Sequence, residues 1–204
     1  SVKRMKSIFN GTNGLSDFNK GEIHKNFSAN PNWPHDWSAY VTYLPITDAN
    51  FQDVVDLWFR DQATAIFAYG HIRDWNVSQV TDMTEAFMNR AGFNEDISGW
   101  DVSNVTMMNR MFKGAVSFNQ PIGDWDLSSV RWMGSMFFGA TSFNQPIGNW
   151  NVSSARDMNH VFAWASSFNQ PIGDWNVSSA TKLHHTFFEA VSFNQSIAEW
   201  NVSS

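Results

Sequence analysis

The sequence predicts an α/β solenoid of 25-residue coils, each pairing a short strand with a short helix, behind an N-terminal cap helix. Three observations carry that expectation. Trp75, Trp100, Trp125, Trp150, Trp175 and Trp200 stand 25 residues apart without a slip. Whole columns move with them: Phe87, Phe112, Phe137, Phe162 and Phe187; Phe93, Phe118, Phe143, Phe168 and Phe193; Met83, Met108, Met133 and Met158, completed by Leu183; Ile97, Ile122, Ile147, Ile172 and Ile197. A fixed period of this size marks a repeat architecture, in which each unit buries its apolar side against the next. Within each unit, finally, a helix-like signal alternates with an extended one.

The stretch Ser103–Gly114 carries the helix signal. Val105, Met108 and Phe112 fall at i, i+3 and i+7 on one inward stripe. Ser103 or Thr106 is placed to accept a bond from the free amides of a first turn, and Gly114 suits a helix end. Val116–Ile122 is more extended, and Pro121 lacks the amide a central strand needs. A short strand is therefore expected around Val116–Asn119 or beside the Trp. At a strand spacing of ~4.8 Å, five coils would make a body roughly 24 Å long.

Ahead of the array, residues 47–69 read as a cap helix, with the chain falling into phase by residue 74. Thr47 or Asp48 is the expected N-cap, and Phe51, Val54, Val55, Trp58 and Phe59 form an amphipathic face. Residues 1–46 read as an irregular segment. Within it, Met5–Thr12 matches the spacing of Met108–Ala115, and Asp17-Phe18-Asn19 echoes Ser117-Phe118-Asn119. A decayed earlier repeat is one reading; chance matches in a chain rich in Phe and Met are the other. Asn26–Pro45, with its prolines and Trp33 and Trp37, reads as a packed connector. Residues 75–204 hold five repeats and the opening of a sixth. An uncapped apolar end of that kind is expected to meet further repeats or a partner.

Composition narrows the function. The chain has 204 residues, 43% hydrophobic, with no cysteine and a net charge of −6. No apolar run approaches the ~18 residues of a membrane span, and no targeting segment is visible after Ser1. Without thiols there is neither a disulfide framework nor a thiolate metal site. The array carries six basic residues against 11 acidic ones, so it lacks the basic stripe that nucleic acid requires.

The string W-[ND]-V-S-x-V-T-x-M-x-x-M-F-x-G-A-x-x-F-N-Q-P-I-G, running through residues 75–204, resembles the roughly 26-residue bacterial surface protein repeat. That repeat is found in mycoplasma-type lipoproteins and BspA-like leucine-rich-repeat proteins, and in algal and protist proteins. The resemblance implies a leucine-rich-repeat-like solenoid associated with cell surfaces and adhesion. It offers no catalytic residues to carry over.

Several columns invite a functional reading beside a structural one. The Asn ladder (Asn94, Asn119, Asn144, Asn169, Asn194) and the Gln ladder (Gln120, Gln145, Gln170, Gln195) have the chemistry to read a sugar. They also have the chemistry to satisfy backbone at a corner, which is the favoured reading. The Trp column, Trp75 to Trp200, can stack on ligands or form the spine of the core; its constancy favours the core. Asp74, Asp124, Asp174 and Glu199, or Asp101 and Asp126, are too interrupted for a calcium loop and read as turn residues. His184, His185 and His160 make at most a weak metal constellation. No nucleophile–base set or phosphate loop is present, so no enzyme, cofactor or metal is expected. Sequons at Asn10, Asn26, Asn76, Asn104, Asn151, Asn176 and Asn201 lean toward an extracellular or cell-surface location, with an organelle-associated assembly as the alternative.

The positions that break the repeat are the candidate binding residues: Met107, Trp132, Phe138, Trp164 and Phe188. If they face outward they form an apolar strip of the kind seen at binding hot spots; if they fold back they fill gaps. Two function classes follow. One is a displayed or secreted recognition solenoid that binds protein, or glycan. The other is a structural or linker subunit of a larger assembly.

Overall fold

In the computed structural model, residues 14–27, 30, 33 and 36–202 are described. Three helices precede the repeats: α1 (Asp17–Phe27), α2 (Phe51–Arg60) and α3 (Gln62–Tyr69). The stretch expected as one cap helix is two, broken at Asp61. That residue ends α2 and caps α3, its carboxylate accepting from the Thr64 N–H at 3.1 Å. Phe51, Val54, Val55 and Trp58 are the buried face of α2 and join the apolar core of the array.

The strand-and-helix coil is overturned. Among the described residues the repeats contain no helix and no sheet strand beyond isolated parallel bridges, which link Asp82, Met107, Trp132, Asp157 and Lys182 in succession. Ser103–Gly114, read as helix, is a run of tight turns. Its amides face two ways. Met108, Arg110, Phe112 and Gly114 donate to the carbonyls of Trp132, Gly134, Met136 and Phe138 in the next repeat, at 2.7–2.9 Å. The residues between close local turns, as Lys113 N–H to the Arg110 carbonyl does at 3.0 Å. An α-helix needs every amide for its own i−4 carbonyl, so this division excludes one.

Left-handed residues enforce the division. Glu85, Arg110, Ser135, His160 and His185 form one column with φ between 55° and 61°; Asn89, Gly114, Gly139, Trp164 and Glu189 form a second. The i, i+3, i+7 stripe that suggested a helix is equally the stripe of consecutive three-to-four-residue turns. Val116–Asn119 is no strand either, because the Phe118 N–H turns back to the Ala115 carbonyl at 3.1 Å. Ser103 caps nothing; its hydroxyl and amide both donate to Asp101 Oδ1, at 2.6 and 3.1 Å.

The core is a pair of phenylalanine ladders. Within a repeat the two rings stack at 3.9–4.0 Å, as for Phe112 and Phe118 or Phe137 and Phe143. Between repeats they stack again, Phe112 on Phe137 at 5.4 Å and Phe118 on Phe143 at 6.0 Å. Each Trp of the repeat column donates its indole N–H backwards: Trp100 to the Ile72 carbonyl at 2.8 Å, Trp150 to that of Ile122 at 3.0 Å. A ring that is buried on its faces and bonded at its one polar atom is a packing element.

The suggested decayed repeat does not extend to Asp17-Phe18-Asn19. Those residues open α1, and Phe18 is 66% exposed where Phe118 is buried. Met5–Thr12 lies outside the described residues.

Candidate functional site

The corner of each repeat is held by amides. Asn119, Asn144, Asn169 and Asn194 each donate their N–H to the Oδ1 of the preceding Asn, at 2.8–2.9 Å. Gln120 and Gln145 donate from Nε2 to the carbonyls of Asn94 and Asn119, at 2.8 and 2.9 Å. These groups are spent on joining repeats. Asp101 and Asp126 hold the amides two residues on, and hydrogen bonds from the Ser103 and Ser128 hydroxyls and backbone keep both carboxyls below the usual aspartate range.

The five candidate binding residues divide into two groups. Met107 and Trp132 are bridge neighbours on one column; Met107 is half-buried and Trp132 is 37% exposed. Phe138, Trp164 and Phe188 lie six or seven positions further along the repeat. Trp164 and Phe188 are 48% and 47% exposed and meet edge to face at 5.7 Å. Phe138 is half-buried, with Lys113 Nζ 5.0 Å above its ring.

Two imidazoles complete this second group. His160 lies 6.4 Å from Phe138 and 5.1 Å from His185, and His185 lies 5.5 Å from Phe188. Phe138, His160, His185, Phe188 and Trp164 thus form a connected cluster of rings across three repeats. The sequence singled out the histidines only as weak metal ligands, because their contact depends on both sitting at the same left-handed position. His184 is tied to the preceding repeat through its backbone, its N–H donating to Asn159 Oδ1 at 2.9 Å. Among the described residues no three His, Cys, Asp or Glu side chains come together as a metal site.

Trp164 is the most informative member. Its column holds Gly114 and Gly139 in the two preceding repeats, and Trp164 keeps the same left-handed backbone at φ 61°. A side chain there costs roughly 1–2 kcal/mol relative to glycine.

A second feature escaped the sequence reading. Between the first repeat and helices α2 and α3 lies a cavity of about 420 Å³, lined by Trp58, Phe59 and Gln62 on one side and Arg90–Glu95 on the other. Arg90 bonds Asp56 at 2.7 Å and covers the Phe59 ring at 4.3 Å. No helix among the described residues is long and apolar enough to cross a membrane.

A family described as "Mycoplasma protein of unknown function, DUF285" matches residues 55–163 and again residues 121–204. The chain matches no curated protein and no solved structure. The family supports the mycoplasma-type resemblance at the level of the repeat and does not carry its leucine-rich-repeat or adhesion part. Its two matches together run through the whole array, and the chain belongs to this repeat family.

Proposed function

We propose that this chain is a non-catalytic repeat solenoid that binds a protein partner through the ring cluster of Phe138, His160, Trp164, His185 and Phe188, displayed at a cell surface or secreted. One observation carries the reading. Trp164 is an exposed, left-handed tryptophan where the two preceding repeats supply glycine and the outer ones the polar Asn89 and Glu189. Strain of this sort persists where something other than folding stability maintains it. Exposed aromatic anchors with two rotatable bonds are favoured at binding hot spots. Trp132 and Met107 extend the apolar surface along a neighbouring column.

The test compares the full chain with Trp164→Gly as bait in extract from its source cells. An Asp174→Asn chain, altered at an exposed residue outside the ring cluster, serves as control. A stoichiometric protein held by the wild type and the control, and lost with Trp164→Gly, supports the reading. An unchanged set of bound proteins with Trp164→Gly sinks it.

The second reading is a structural or linker subunit of a larger assembly. It draws on the same exposed rings, Trp164 and Phe188, which a neighbouring subunit of a larger assembly would cover. Burial of the ring cluster inside an isolated complex would favour this reading over a displayed surface.

A further inference from the structure

Two backbone amides tie each corner to the repeat before it. Ser117, Ser142 and Ser167 donate to the carbonyls of Ala91, Val116 and Thr141 at 2.9, 3.1 and 3.2 Å. Two residues on, Asn119, Asn144 and Asn169 donate to a preceding Asn Oδ1, each at 2.9 Å. In the first repeat these positions are Gly92 and Asn94, and neither N–H has a partner among the described residues. Both residues line the cavity of about 420 Å³.

Trp58 lines it too. Its side chain is 4% exposed, and its indole N–H has no hydrogen-bond partner among the described residues. Every repeat Trp, by contrast, bonds a backbone carbonyl. A buried donor without an acceptor is costly; Trp58 is the buried one, Gly92 and Asn94 are exposed, and all three residues line the same space. Phe59 covers the rings of the first repeat edge to face, lying 6.3 Å from Phe87 and 5.8 Å from Phe93. The cap thus covers the rings of the first repeat and supplies Asp48 to the Thr81 and Asp82 amides, but leaves those of Gly92 and Asn94 without an acceptor among the described residues.

We propose that this cavity binds a peptide segment presenting a main-chain carbonyl and, three residues later, an asparagine side chain. The carbonyl accepts from Gly92 and the amide oxygen from Asn94, as Thr141 and Asn144 accept from the repeat after them. Trp58 supplies a third donor to the bound backbone. The charges select the amide over a carboxylate. Arg90 is already neutralised by Asp56, and Glu95 stands where later repeats have Gln120, Gln145 and Gln170. A ligand aspartate would face Glu95 unpaired. The volume falls within the range of small-ligand pockets. This site lies apart from the ring cluster and stands or falls independently of it.

The probe is acetyl-Thr-Ser-Ala-Asn-Gln-amide, titrated into the ¹⁵N-labelled full chain. It copies residues 141–145 with alanine in place of Phe143, because Phe59 already covers the rings there. Saturable shifts are expected at the Gly92 and Asn94 amides and the Trp58 indole. Replacing the peptide Asn by Asp should weaken binding at least about fivefold, and Glu95→Gln in the protein should remove most of that penalty. The proposal is overturned if these three signals stay still at millimolar peptide, or if a peptide with leucine for asparagine binds equally well.

Discussion

Asp48 does for Thr81 what the Thr81 carbonyl does for Thr106. Asp48 Oδ1 accepts from the N–H groups of Thr81 and Asp82 at 2.7 and 3.2 Å. The Thr81 carbonyl accepts from Thr106 and Met107 at 2.8 and 3.2 Å. A side chain from the cap thus imitates the backbone of a repeat that is not there, and closes the first rung of the bridge column.

Replacing Asp48 by alanine should therefore fray the array at its first repeat. Hydrogen bonds to a charged group contribute about 1.5–3 kcal/mol when well shielded, and solvent screening at this exposed site brings the expected loss to about 1 kcal/mol. Denaturant unfolding gives the total. Faster amide exchange confined to Thr81 and Asp82 locates it.

The same carboxylate gives a pH signature. Burial opposes its ionisation, but hydrogen bonds from the Thr81 hydroxyl and the Thr81 and Asp82 amides outweigh it and hold the group below its ordinary value of 3.8. A depressed folded pKa stabilises above the unfolded pKa and loses that contribution as pH falls through the folded one. The wild type should lose its advantage over Asp48→Ala below about pH 4. Asp101 and Asp126 carry the same sign in both proteins, so the difference curve isolates Asp48. A stability gap that persists unchanged to pH 2 would contradict the assignment.

Trp164→Gly should raise stability by about 1 kcal/mol, by relieving a left-handed side chain. Gly114→Ala should lower it by a similar or larger amount: φ is 69°, and an added Cβ would come within 2.7 Å of Asn89 Oδ1. Thermal or chemical unfolding of the two variants tests both signs. If Trp164→Gly destabilises, the tryptophan is a packing residue and the functional reading of its strain is lost.

Trp150→Phe keeps an aromatic ring in the core but strips the Ile122 carbonyl of its donor, now 3.0 Å away. Smaller volume and one orphaned acceptor predict a loss of about 2 kcal/mol. A ligand-platform role would instead leave stability nearly untouched.

Asn144→Ala removes the acceptor of the Asn169 N–H at 2.9 Å and one of two acceptors of the Gln170 amide, which keeps the Asn144 carbonyl at 3.0 Å. A loss of about 1–2 kcal/mol is expected. Asn194→Ala should cost less, since its side chain has no following Asn to bond. Equal losses at the two sites would argue against the ladder as the stabilising device.

Much of this protein is legible as period. Trp100, Phe112, Phe118 and Ile122 recur at fixed spacing, and stacking identical units buries each column against itself; the sequence by itself therefore determined the repeat, its register and its core. It also marked Trp132, Trp164 and Phe188 as departures. Tertiary structure decided the backbone. The Val105, Met108, Phe112 stripe fits a helix and a chain of turns equally well, and only the neighbouring repeat, at hydrogen-bond distance, draws alternate amides outward and selects the turns. The same holds for the sites. Whether His160 touches His185, whether Gly92 and Asn94 lack acceptors, and whether Asp48 caps a helix or a repeat depend on what lies beside each residue in space, which no local pattern encodes.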